Sequence, residues 1–342
     1  MKKILFAAAA MAALFASCDK NDETINSVIP EVADGARIAI TLTGAGDTET
    51  RAFFDTTAKA EAWESSLSTL SVFAFDNGGT LIVRRDFSSA ELASKSATFA
   101  LPKSTAGTEC SFYAVANYDA SSAMTKAALT ALVDNSAAAY NGTFAEVSTS
   151  AKRSGGFVMS GSVTKTVGAV NTTTSVGITL KRAVAKVALQ TTVDPSFAEK
   201  YSGTLTINSV KLSKAASQSL VVAGTPMPGA MTFSHTQTPA AASGNYNALF
   251  YCFENGALAA GSRVLLEINA TYDSDGNAST TDDRSEVTYS IELTGKAAGE
   301  ILRNDYYRIA ANITGLVGQD CAVTVTVADW ETPVTQNVDL GA

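Results

Sequence analysis

The chain has 342 residues, enough for two domains with cores of ordinary size. Its formal net charge of -8 disfavours nucleic acid or an anionic membrane as the main partner of the folded part. Charged residues make up only 17%, and Ala, Thr, Ser, Gly and Val dominate, which fits a secreted β-rich protein rather than a disordered or helical one.

The N-terminus reads "MKKILFAAAAMAALFASC". Lys2 and Lys3 form a basic start, Ile4 to Phe15 an apolar stretch, and small residues precede Cys18. The apolar stretch falls short of the ~20 residues that span a bilayer, so residues 1–17 read as a signal peptide. "FASC" looks like a lipobox, with Phe15 where Leu is usual, and predicts lipidation of Cys18. Residues 18–35 are polar and read as a tether.

"ARIAITLTG" follows, with Ile38, Ile40 and Leu42 alternating with Arg37, Ala39 and Thr41, the pattern of a strand with one buried face. The connector "AGDTETRAFFD" then presents Arg51 between acidic residues and an apolar "AFF". Arg51 is either a solvated charge or a cut site for an arginine-specific protease, with Ala52 as the new N-terminus. Cleavage at Arg37 would leave the apolar strand attached, so Arg51 is the better site.

Further along, "DNGG" between two alternating runs predicts a hairpin, and "SATFALP" and "CSFYAVAN" predict strands. In "SSAMTKAALTALVDNSAAA" a helix is expected, with Met124, Ala128, Leu129 and Leu132 on one face and Ser121 or Ser122 as its cap. "GAVNTTTSVG", about residues 168–177, reads as a linker between domains at 36–170 and 176–342. The second half is a succession of short alternating runs, for which a β-sandwich is the default. No repeat of short period is visible.

Catalytic signals are sparse. His235 is the single histidine, and neither a phosphate loop nor a nucleophile elbow is present. Asp273, Asp275 and Asn277 have calcium-ligand spacing at their start but lack the later glycine and glutamate of an EF-hand, so a solvated hairpin tip is expected. Lys181, Arg182 and Lys186 in "LKRAVAKV" read as a solvated strand face. Cys110, Cys252 and Cys321 each lie in or beside an apolar run and are expected to be buried thiols. No metal, cofactor or enzymatic activity is expected.

Several segments together resemble the fimbrillin family, the type V pilins of Bacteroidales. They are "LSVFAFDNGGTL", "FYAVAN", "FVMSG", "LKRAVAKVAL" with its R-x-x-A-K core, "LFYCFEN", "ILRNDYYRIAANITG" and "VTVADW", in family order over most of the chain after Cys18. The resemblance implies an all-β chain of two tandem transthyretin-like Greek-key β-sandwich domains. It also implies a lipidated precursor at the outer membrane, cleavage after an arginine, and polymerisation with other pilin subunits by donor-strand exchange. In that scheme the strand at 36–51 is removable, and the tail at 331–342 is the donor, with Val334, Val338 and Leu340 at even spacing and Gln336 interrupting them. With both a cut site and a tail, the chain reads as a shaft subunit. The alternatives are a tip subunit and a monomeric surface lipoprotein that binds glycans, for which Trp63 and Trp330 are the only tryptophans and both lie where core packing is expected.

Overall fold

The computed structural model describes residues 35–44, 54, 60–227, 231–295 and 297–317, and the backbone of strands at 326–329 and 336–340. The first half contributes β1 (Ala36–Thr43), β2 (Leu70–Phe75), β3 (Leu81–Asp86), β4 (Ser96–Leu101), β5 (Glu109–Ala116), β6 (Val133–Asp134), β7 (Met159–Thr166), β8 (Thr173–Thr179) and β9 (Lys181–Arg182). The second contributes β10 (Val184–Val193), β11 (Thr204–Ala215), β12 (Ser219–Leu220), β13 (Phe233–Gln237), β14 (Ala240–Ala242), β15 (Asn245–Phe253), β16 (Leu265–Asp273), β17 (Arg284–Glu292), β18 (Asp305–Ile313), β19 (Thr326–Asp329) and β20 (Gln336–Leu340).

Each half is a sandwich of two sheets, and the two share one wiring. In the first, β4-β1-β8 faces β3-β2-β5-β7-β9. In the second, β15-β10-β18 faces β13-β11-β16-β17. The first strand of each domain sits centrally, antiparallel to one neighbour and parallel to a late strand of its domain, β8 or β18. With β9, β14, β19 and β20 at the sheet ends set aside, the chain is a two-fold repeat of a seven-strand unit, written in three-dimensional wiring and not in sequence period.

Three apolar layers follow from this stacking. One fills the first sandwich, one the second, and a third lies between the domains. The layering explains two kinds of sequence pattern. β1 alternates because one face meets the core and Arg37 and Thr41 meet water. β2 is buried on both sides: Leu70, Val72 and Ala74 enter the first sandwich, while Phe73 and Phe75 enter the layer between domains. β10 does the same with Val187 and Leu189 on one side and Val184 and Ala188 on the other.

Residues 173–177 of the expected linker belong to β8, and β9 pairs with β7, so the pairing of the first sandwich runs on to Arg182. Gly, Asn and Thr mask a strand whose Val176 and Ile178 are buried. The expected helix shrinks to Lys126–Thr130, capped by Thr125; Leu129 is buried, but Met124 is exposed. The apolar residues there are spread over a short helix, β6 and the turn Ala137–Tyr140 rather than one helical face. β6 pairs with β12 of the second domain.

Candidate functional site: the slot of the first strand

β1 is held along both edges. Ala36 to Thr41 pair with Leu101 to Ser96 of β4, and Arg37 to Thr43 pair with Thr173 to Thr179 of β8. Its ends are fixed by glycines that admit no side chain. A Cβ on Gly35 would lie 1.9 Å from the Leu101 carbonyl oxygen, and Gly44, at φ +79°, would place one 2.4 Å from that of Leu180.

Ile38, Ile40 and Leu42, with Ala36, are at most 4% exposed. They share an apolar layer with Val72, Phe99, Leu101, Phe112, Val176 and Ile178. Full burial of each large side chain contributes about 1.5–3 kcal/mol, so these three alone contribute roughly 5–9 kcal/mol. That matches the entire net stability of an ordinary domain, about 5–15 kcal/mol. An empty slot would therefore be strongly unfavourable for the first sandwich, and a replacement strand correspondingly favoured.

At the opposite end of the chain, β19 and β20 lie along the edge of β18 away from β10. Asp305 to Arg308 pair antiparallel with Asp329 to Thr326, and Ile309 to Ile313 pair in parallel with Gln336 to Leu340. Val338 is in register with Ala311 and Leu340 with Ile313. β20 thus meets β18 in the same parallel sense as β1 meets β8. Cys18, Arg51, Ala52, Val334, Cys321 and Trp330 lie outside the described residues.

A second constellation was not anticipated. Arg182 and Lys186, expected on a solvated face, are buried, and only Lys181 of the three is exposed. The strands here have an apolar layer on either side, so the alternate face that would normally meet water meets the other domain. Both cations converge on Glu64, which is fully buried at the end of the short 3-10 helix Ala62–Ser65. Lys186 Nζ lies 2.6 Å from Glu64 Oε1, and the Tyr251 hydroxyl donates to the same oxygen at 2.8 Å. Arg182 Nε donates to the Glu64 carbonyl at 2.7 Å, and its Nη2 to Ser65 Oγ at 2.8 Å. Burial alone would raise the Glu64 carboxyl, but Lys186 and Arg182 outweigh it and hold it below its usual range. The only sequence signal was an R-x-x-A-K spacing, which names the cations but not their anion.

Other candidates resolve simply. His235 is on β13, with its ring Nε2 3.0 Å from the Gly142 carbonyl oxygen and its face beside Phe250. Asp273, Asp275 and Asp283 bring carboxylate oxygens within 4.8 Å of one another and are the one such group among the described residues. Arg284 donates to Asp273, and Ser274 and the Asp275 amide donate to Asp283, which pins the hairpin connection. Cys110 and Cys252 are buried free thiols. Trp63 is half-buried, packs on Phe157, and lines a surface depression of about 480 Å³ with Arg153. No described helix is long and apolar enough to cross a membrane.

A model of the fimbrillin-A associated anchor proteins Mfa1 and Mfa2 matches residues 33–335. Among solved structures, a candidate cell adhesion protein from Parabacteroides distasonis superposes with a TM-score of 0.59 at 16% identity, covering 89% of this chain and 99% of that one. A similar protein from Bacteroides eggerthii gives 0.57 at 21% identity, covering 91% and 99%. The tip fimbrial protein Mfa3 from Porphyromonas gingivalis, C-terminally truncated, gives 0.52 at 13% identity, covering 86% and 99%. These likenesses show the same β-sandwich fold. No curated protein matches the chain. The family match spans both sandwiches, from before β1 to the start of the terminal strand, and the chain therefore belongs to the family of fimbrillin-A associated anchor proteins Mfa1 and Mfa2, structural fimbrial proteins that assemble with other fimbrial subunits.

Proposed function

We propose that this chain is a shaft subunit of a type V fimbria, exported as a lipoprotein on Cys18, cut after Arg51 and polymerised by donor-strand exchange. Cleavage releases β1, and the C-terminal strand of the next subunit takes its place between β4 and β8. The observation that carries this reading is the position of β1. It is central in its sheet, its apolar face is wholly buried, and it precedes every other described element, so one cut in the connector severs it from all of them. The parallel pairing of β20 with β18 supports the C-terminal strand as its replacement, because the slot offers β8 in the same sense. Main-chain bonds would supply affinity and side-chain pockets register, as in other strand additions. Head-to-tail addition does not close on itself and so grows a filament.

The test is to treat the purified precursor with an arginine-specific protease and run it unboiled on SDS gels. A ladder is expected from the wild type, and none from Arg51→Gln or from a chain ending at Trp330. A protein that is fully cut at Arg51 yet stays monomeric sinks the reading and favours a glycan-binding monomer. A chain that accepts donor peptide but never donates its own tail is a tip subunit.

A further inference from the structure

We infer that the buried Glu64 cluster is a clamp that holds the chain just downstream of Arg51 against the second domain, so that the slot left by β1 stays open to a donor instead of being refilled by its own chain. This rests on the reading that the chain is cut at Arg51.

The problem it solves is set by the sequence. Cleavage after Arg51 leaves an end that begins Ala52-Phe53-Phe54. An apolar segment tethered a few residues from an apolar slot competes for it at an effective concentration in the millimolar range, far above any neighbouring subunit. A subunit whose own end fell into the slot would be a dead end for growth.

Phe54, the described residue of that end, is committed elsewhere. Phe54 packs against the layer between the domains, and its carbonyl oxygen lies 3.5 Å from Nη1 of Arg308, itself buried on β18. The main hold is Glu64. Its carboxylate takes Lys186 from β10 and Tyr251 from β15, and the Glu61 amide donates to its second oxygen at 2.8 Å. Arg182 grips the backbone of the same residue, and its Nη1 donates to Asn304 Oδ1 at 3.0 Å. The donors Lys186 and Tyr251 belong to the second domain, while Glu64 leads straight into β2 of the first. Pulling Glu64 out would break a buried ion pair with Lys186 and remove the carboxylate charge beside Arg182, which costs far more than breaking a surface pair. The bonds named for Glu64 come from β9, β10, β15 and its own short helix, whereas β1 is held by β4 and β8. Loss of β1 therefore need not loosen the clamp.

The experiment is hydrogen exchange on the full precursor, before and after cleavage, for wild type, Glu64→Gln and Tyr251→Phe. A synthetic peptide of residues 331–342 is titrated against the cut proteins. In the wild type, amides of residues 60–66 stay protected after the cut. In Glu64→Gln they exchange at least about tenfold faster, and the cut variant binds the peptide about tenfold more weakly because its own end competes. Tyr251→Phe removes one donor, keeps the ring, and gives a smaller shift in the same direction, which serves if Glu64→Gln fails to fold. Full exchange of residues 60–66 in the cut wild type overturns the clamp, as does equal peptide affinity across the three proteins. Failure of the protease to release β1 overturns the cleavage reading instead. The uncut chains still judge the hold itself, since equal protection of residues 60–66 in all three overturns it.

Discussion

Glu64 shows what a single buried charge implies. Its carboxyl is held below its usual range of about 4.5, because the two cations outweigh burial. A depressed folded-state value means that the charge stabilises the fold fully above the unfolded value and ceases to do so as pH falls through the folded one. The stability gap between wild type and Glu64→Gln should thus be widest near neutral pH and shrink below about pH 4.5, as thermal melts from pH 3 to 7 would show. Glu64→Ala, which removes the carboxylate paired with buried Lys186, should cost about 3–5 kcal/mol in urea unfolding. Cys252 behaves oppositely. Burial in the second core pushes its thiol up to about 12, so it should resist a thiol reagent until the chain is denatured.

Among the elements, β1 stands out, held along both edges by β4 and β8. A strand that is central rather than marginal is hard to lose, which makes it worth replacing. Ile38→Ala should cost about 2–5 kcal/mol in the uncut precursor, because Phe99 and Val176 cannot collapse onto the space without moving their own strands. The same substitution should speed displacement of the cut strand by a peptide of residues 331–342, measured by fluorescence of a labelled peptide. An exposed-face change such as Thr41→Ser should alter neither quantity beyond about 0.5 kcal/mol. β1 was legible in the sequence because water lies on one of its faces. β8 was not, since its Thr, Asn and Gly neighbours resemble a connector and its partner is more than a hundred residues distant.

For the whole molecule, the layer between the domains decides the mechanics. Phe73 and Phe75 of the first domain and Tyr251 and Phe253 of the second belong to one apolar cluster, with Phe157 stacked edge-on against Tyr251 at 4.9 Å. Domains joined by a large apolar interface do not swing freely. The uncut chain should unfold in one calorimetric transition, and Phe157→Ala should lower it by about 3–5 kcal/mol without splitting it. Two separate transitions would show that the domains are mechanically independent. A stiff two-domain unit suits a filament, in which each subunit must transmit force from slot to tail.

The sequence by itself determined the β-rich class, the half-buried first strand and the existence of two sandwiches, because alternation, turn residues and signature segments are local properties. It could not reveal that Lys186 and Arg182 are buried, since a strand carrying cations on its alternate face reads as solvated until a second domain covers that face. Nor could it reveal the duplicated wiring, the strand at 173–179, or the anion that the R-x-x-A-K cations share. Those depend on which faces meet across distances of a hundred residues or more, and only the packing of the four sheets decides that.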